Sequence, residues 1–216
     1  MTEEVQNITP ALALYECLLE FGEQKSNPVL QVLGGTQPVN QHKYPPGDRL
    51  VLGTAGWRAF YHSHTSPGRH EHEHGHFHLF APVDETGEQG RWTHVVALSM
   101  DGMGQPICWF TVNRWVTDGN WLAADELLPI LAAQKIDTSQ PLLARWLTAM
   151  TALFSGQIGN LLGARDRQLT RVNEPGEGAD ILENRQIYLL AQSPIHLMEA
   201  LQTSIESTSS ANQSQR

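Results

Sequence analysis

The sequence predicts an α+β fold in which a small antiparallel sheet carries a histidine cluster and is flanked by N- and C-terminal helices. Apolar residues recur at helical spacing near the N-terminus, alternate with a period of two from Trp57, and return to helical spacing after Trp115. The 216 residues are enough for one domain with its own core. We therefore expect a single α+β domain over residues 1–202 and a disordered polar tail over residues 203–216.

The first helix is predicted to begin at Pro10, because Thr9 offers an N-cap hydroxyl and proline suits the first helical position. Gly22 is a plausible stop for this helix. Its apolar face would comprise Leu14, Leu18 and Phe21. Residues 26–56 are rich in Pro, Gly, Asn and Gln, so we expect a long irregular connection there, of a length that often contains a short strand.

Four consecutive strands are predicted from alternating patterns. They are WRAFYHSH, HGHFHLFAPV, WTHVVALS and ICWFTVN. The first two are separated by a Pro-Gly turn signal in TSPGRHEHE, and the last two by the turn formers of DGMGQP. Because the strands follow one another with short connections, we expect an antiparallel meander.

The second half of the chain is predicted to be mainly helical. A helix is expected over WLAADELLPILAAQ, and a long one from a Ser139 cap toward Arg167. The stripe of the long helix would comprise Leu143, Leu147, Met150, Phe154, Ile158 and Leu161. We expect Arg165-Asp166-Arg167 to be an exposed charge cluster, EPGEGAD to be a loop, and IYLLA to be a short buried strand before a last helix.

Charge and composition exclude several classes of function. The net charge is −9 and the basic residues are scattered singly, so neither nucleic acid nor an anionic membrane is an expected partner. Cys17 and Cys108 form no CxxC pair, which argues against a thiolate zinc site or a disulfide framework. The N-terminus lacks the basic and apolar segments of a signal peptide, and no apolar run could span a membrane. We expect a cytoplasmic protein.

The histidines are concentrated in one short segment. Seven of the ten lie between positions 62 and 78. His62 and His64 are two residues apart on one predicted strand, and His74, His76 and His78 repeat that spacing on the next. Residues two apart on a strand face the same side, so paired strands would direct several imidazoles toward one point. Neutral imidazole is a common ligand of transition metals.

The spacing therefore predicts one transition metal ion, with zinc or iron expected first and copper or nickel as alternatives. The predicted ligands are His62, His64, His76 and His78. Glu73 and His74 would supply a further ligand or a general base, and a carboxylate ligand would favour iron. The alternative interpretation is a solvated tract that collects metal without fixed geometry, which suits His70 and His72. For His94 three roles stay open: a ligand, a residue that hydrogen-bonds to a ligand, or a core histidine.

The motifs resemble two families that bear on function, besides the opening of a cupin motif at Gly56 and His62-Ser63-His64 that lacks the expected glutamate. The string HGHFHLF over residues 74–80 resembles the motif of histidine-triad nucleotide hydrolases and transferases, in which a strand histidine attacks an α-phosphate. Over residues 40–195 the chain is similar to an uncharacterised bacterial domain family of unknown function. This second resemblance rests on YHSH, PGR, EHGHFHLF, VALSMD, FTVNRWVTDGNW and GARDRQL. It implies one domain, with His62, His64, Glu73, His74, His76 and His78 matching the family pattern.

Three functional hypotheses follow. The first is a metalloenzyme, either a hydrolase using metal-activated water or an oxygenase using a ferrous centre, acting on an unknown small molecule. The second is a non-enzymatic metal buffer or chaperone, which would also use His70 and His72. The third is a histidine-triad-like nucleotide phosphotransferase with no metal requirement.

Overall fold

A six-stranded antiparallel sheet with its long helices on one of its faces forms the protein. The computed structural model describes residues 8–37, 42–45, 49–64, 70–83, 92–172 and 180–213. The strands are β1 (Leu50–Leu52), β2 (Trp57–His62), β3 (Glu73–Pro82), β4 (Trp92–Asp101), β5 (Pro106–Val112) and β6 (Leu189–Pro194). The helices are α1 (Pro10–Glu23), α2 (Pro28–Leu33), α3 (Arg114–Thr117), α4 (Ala124–Ala132), α5 (Leu142–Leu153), α6 (Ser155–Val172) and α7 (Leu197–Gln213), with a 3₁₀ turn at Ile181–Glu183.

The order of strands in the sheet is β1-β2-β3-β4-β5-β6, so each strand pairs with its neighbour in sequence. The predicted four-strand meander corresponds to β2, β3, β4 and β5, and the α+β fold class is confirmed. Two edge strands complete the sheet. β1 lies within the predicted irregular connection, and β6, which overlaps the predicted IYLLA strand, pairs with β5.

The connection over residues 26–56 contains more regular structure than the sequence indicated. Besides β1, it holds α2, whose N-cap Asn27 accepts a hydrogen bond from the backbone of Leu30 at 2.8 Å. Gly34 ends α2 in the left-handed conformation, with φ at 58°. In α1 the Thr9 cap and the Pro10 start are confirmed, but the helix continues one residue past Gly22.

The main core lies between one face of the sheet and helices α1, α5 and α6. Sheet residues that point into it include Tyr61, Phe77, Leu79, Leu98 and Trp109. The predicted stripe of the long helix is buried along its whole length, but the helix is divided into α5 and α6 at Phe154. The adjoining Ser155 and Gly156 are weak helix formers, which explains the interruption. The prediction of one continuous helix capped by Ser139 is therefore wrong.

The last helix extends farther than expected. α7 continues to Gln213 and so enters the polar segment that was expected to be disordered. Its Glu, Gln and Ala residues favour helix more than the low complexity of the segment suggested. Residues 214–216, the Pro67-Gly68 turn signal and most of the EPGEGAD loop lie outside the described residues. Within the described ranges, no helix combines the length and the apolar character that a membrane crossing requires.

Candidate metal centre

Strand pairing brings three predicted ligands onto one face of the sheet. In the register of β2 and β3, His62 lies opposite His76, and Phe60 lies opposite His78. Because side chains alternate along a strand, His76 and His78 share a face, and the cross-strand partner His62 projects from that same face. This face is opposite to the one that packs against the helices, where Tyr61 and Phe77 lie.

The imidazoles of these three residues converge through their Nε2 atoms. The Nε2 atom of His62 lies 2.7 Å from that of His76 and 3.1 Å from that of His78. One ligand atom from each residue lies within 4.8 Å of the other two, close enough to hold a metal ion. Two nitrogens bound to a tetrahedral zinc ion at about 2.0–2.1 Å would be about 3.3 Å apart, so the observed spacing needs little adjustment.

A buried carboxylate orients the second histidine of the group. Nδ1 of His76 lies 2.7 Å from Oε1 of Glu73, and Oε2 of Glu73 accepts a hydrogen bond from the Ser99 hydroxyl at 2.6 Å. When the Nδ1–H donates to this carboxylate, Nε2 keeps its lone pair and faces the other two histidines. A carboxylate in this position fixes the ring tautomer and increases the basicity of the ligating nitrogen.

A second histidine supports His78 in a similar way. Nδ1 of His78 lies 2.9 Å from Nε2 of His94, and both residues are buried. His94 therefore contacts the ring nitrogen of His78 that faces away from the proposed metal position.

The prediction that Arg165 belongs to an exposed charge cluster is wrong, because its side chain is buried. It is hydrogen-bonded to Asp166 and to the carbonyl of Leu122.

Burial keeps His62, His78 and His94 neutral, and neutral imidazole is the form that binds metal. Loss of hydration lowers the pKa of His62 to about 3, with smaller contributions from His76, His64 and Lys43. Burial also lowers the pKa of His78 well below its ordinary value. The pKa of His94 is lowered to about 3 by burial and then by the positive charge of Arg165. At neutral pH these imidazoles are uncharged and can donate lone pairs.

His64 lies beside the group, just beyond the end of β2. Its ring centroid is 4.9 Å from that of His62 and 5.1 Å from that of His76, both in edge-on contact. Among the described residues, the set of mutually close ligand atoms comprises His62, His76 and His78, and His64 does not belong to it. The structure thus brings together three of the four predicted ligands and places the fourth against two of their rings.

His74 is placed on the other side of the sheet. Its Nδ1 lies 2.6 Å from the hydroxyl of Tyr61, a residue of the main core. The pairing of β3 with β4 is irregular between Glu73 and Gly75, so the strict alternation on which the prediction relied does not hold there. Gly75 permits the arrangement, because a Cβ atom at this position would lie 2.5 Å from the Tyr61 hydroxyl.

A cavity of about 200 Å³ adjoins the histidines. His62 and His78 form part of its lining, together with the aromatic side chains of Phe60, Phe80 and Trp92. Trp57 and Trp109 do not contribute to this lining, since both are fully buried in the main core.

Sequence reasoning missed the supporting role of Ser99. Ser99 lies opposite His76 in the register of β3 and β4, which places its hydroxyl beside Glu73. A lone serine in an apolar strand gives no local signal of such a role. The register of the two strands would have been needed to find it.

Comparison with known protein families gives one match. A family model described as Domain of unknown function (DUF6969) matches residues 9–195. The chain belongs to this family. The match confirms the resemblance to an uncharacterised family that the sequence motifs indicated, and it covers every strand and the complete histidine group. No curated protein and no solved structure shows significant similarity to the chain.

Proposed function

We propose that this protein is a metalloenzyme that holds a single transition metal ion through the Nε2 atoms of His62, His76 and His78. The observation that carries the proposal is the convergence of these three atoms beside a cavity that His62 and His78 help to line. Catalytic zinc sites have three protein ligands and leave one position for water or substrate, whereas structural sites are closed by four.

The donor set favours zinc-type hydrolysis. Glu73 is engaged by His76 and Ser99, so its carboxylate acts behind a ligand rather than among the ligand atoms. Three neutral imidazoles leave the charge of a divalent ion undiminished, and such an ion lowers the pKa of a bound water to about 7. Ferrous iron with an oxygenase reaction is the second candidate, because non-haem oxygenases typically combine two histidines with one carboxylate ligand.

Positioning separates the enzyme proposal from a metal buffer. The three proposed ligands are held on paired strands. The Nδ1 atom of His76 contacts Glu73, and that of His78 contacts His94. His70 and His72, which a buffer would also use, are exposed, with ring centroids 6.1 Å apart. Storage and exchange of metal do not need residues that orient each ligand, whereas catalysis needs ligands of fixed orientation.

We propose a cytoplasmic location for the protein. Cys17 and Cys108 are free thiols, and thiols stay reduced in the cytoplasm.

Cobalt substitution tests whether the site is open. Co²⁺ bound by the full chain should give visible absorption bands, and azide should shift them because it can enter the free position. His64→Ala should retain the response to azide if His64 lies outside the ligand set, and His70→Ala serves as the control for loss of a nearby exposed imidazole. Cobalt uptake without any azide response would indicate a closed site and contradict the enzyme proposal.

A further inference from the structure

The cavity beside the histidines differs in charge from the rest of the protein. The chain as a whole carries a net charge of −9. Lys43 and Arg49, which line this cavity, are both exposed, and Asp118 is its one acidic lining residue among those described. Neither cation forms an ion pair with a carboxylate of the residues that the structure describes. The lining therefore has an excess of positive charge even without a metal ion.

Lys43 lies close to the histidine group. Its Nζ atom is 4.5 Å from the ring centroid of Phe60, whose own ring is 5.4 Å from that of His62. An ammonium group and a divalent ion on the same cavity would both attract a negatively charged group between them.

One wall of the cavity is aromatic, and the segment from Val116 to Gly119 forms another part of its lining. Phe60, Phe80 and Trp92 form a separate apolar cluster on this face, and the Phe60 and Phe80 rings are stacked with centroids 5.6 Å apart. The rings of these side chains offer flat apolar faces. The volume of about 200 Å³ is below the ~300 Å³ at which pockets for drug-sized ligands begin, so the ligand must be small.

We infer that the cavity binds a small organic carboxylate with a planar apolar body, whose negative group lies toward Lys43 and the metal and whose body lies against Phe60 and Trp92. This inference rests on the proposed function, because it names the substrate class of that same site. A carboxylate satisfies both cations, and a planar body of about benzoate size fills an aromatic-walled cavity of this volume. A neutral ligand would leave the cations without a negative partner, and a strongly polar ligand would leave the aromatic wall without an apolar one.

Titration of the zinc-loaded full chain with benzoate tests this inference, with benzamide as the neutral analogue of the same shape. Benzoate should bind at least about ten-fold more tightly than benzamide, and its affinity should decrease as salt is added. Lys43→Gln should weaken benzoate binding about two- to five-fold, the range expected for one exposed charge. Lys135→Gln, which removes the same charge from an exposed position outside the cavity lining, should leave the affinity unchanged.

The outcomes separate this inference from the metal proposal. Equal affinity for benzoate and benzamide, or an unaltered affinity in Lys43→Gln, would overturn the carboxylate assignment. Zinc uptake without benzoate binding would also overturn it, while leaving the metal site intact. Benzoate binding by a protein that takes up no zinc would support the anion-binding cavity and refute the metal site. Circular dichroism of each variant verifies that the fold is retained.

Discussion

Replacing Glu73 with Gln tests how the carboxylate contributes to the site. The substitution keeps the size of the side chain and an oxygen that can accept from Nδ1 of His76, but it removes the negative charge. The two side chains are 6% and 3% exposed, so water screens their interaction little. A charge-assisted hydrogen bond contributes about 1.5–3 kcal/mol and a neutral one about 0.5–1.5 kcal/mol.

The expected loss is therefore about 1–1.5 kcal/mol, which corresponds to about a ten-fold weaker affinity for metal. This agrees with the roughly 10- to 100-fold losses of metal affinity that are typical when a residue hydrogen-bonded to a histidine ligand is replaced. The assay is a competition titration of zinc against a chromophoric chelator. Glu71→Gln is the matched control, because Glu71 is an exposed residue that precedes β3 and should give no change. An unaltered affinity in Glu73→Gln, or an equal loss in Glu71→Gln, would refute the assigned role.

Three further predictions concern the ligands, the strand pair and the pH dependence. In the chelator competition, His62→Ala should abolish tight zinc binding and His70→Ala should leave it intact; the reverse would indicate a tract without fixed geometry. Gly75→Ala should reduce the free energy of unfolding by about 1–3 kcal/mol, because the new Cβ atom would lie 2.5 Å from the Tyr61 hydroxyl. The control is Gly22→Ala, whose Cβ atom would meet nothing within 4 Å and which should not destabilise the protein. Burial lowers the pKa of His62 to about 3, whereas an unfolded imidazole titrates near ~6.5. Between these two pKa values the imidazole of His62 is protonated in the unfolded chain but not in the folded one. The metal-free protein should therefore lose stability as the pH falls from 7 to 5, by up to about 1.4 kcal/mol per pH unit for each buried histidine of this kind. Urea unfolding in the presence of chelator would measure this, and a flat profile would contradict it.

The sequence predicted the sheet well because its signals are local. Alternating apolar residues and turn formers define β2 to β5, and the spacing of His76 and His78 places them on one face without knowledge of the tertiary structure. The convergence with His62 followed once adjacent strands were assumed to pair. These steps require only the two-residue period of a strand and short connections.

The misplaced features depend on contacts that a linear pattern does not contain. His74 leaves the face of its neighbours because of an irregularity near Gly75, which a strict alternation cannot anticipate. The register of β3 against β4 places Ser99 beside Glu73 and His94 beside His78, and this register cannot be deduced from either strand alone. Arg165 was assigned to the surface from its charge alone, although hydrogen bonds to Asp166 and to a backbone carbonyl allow it to be buried.

The central claim is that the three convergent histidines bind one metal ion, and elemental analysis of protein purified without a histidine tag tests it most directly. After dialysis the wild-type chain should retain close to one equivalent of a transition metal, and His76→Ala should retain almost none while His72→Ala retains as much as the wild type. The geometry leads to this expectation because His76 is the ligand whose Nε2 atom is oriented by Glu73. A wild-type protein that is folded, metal-free and unable to take up zinc, iron, copper or nickel on titration would contradict the account.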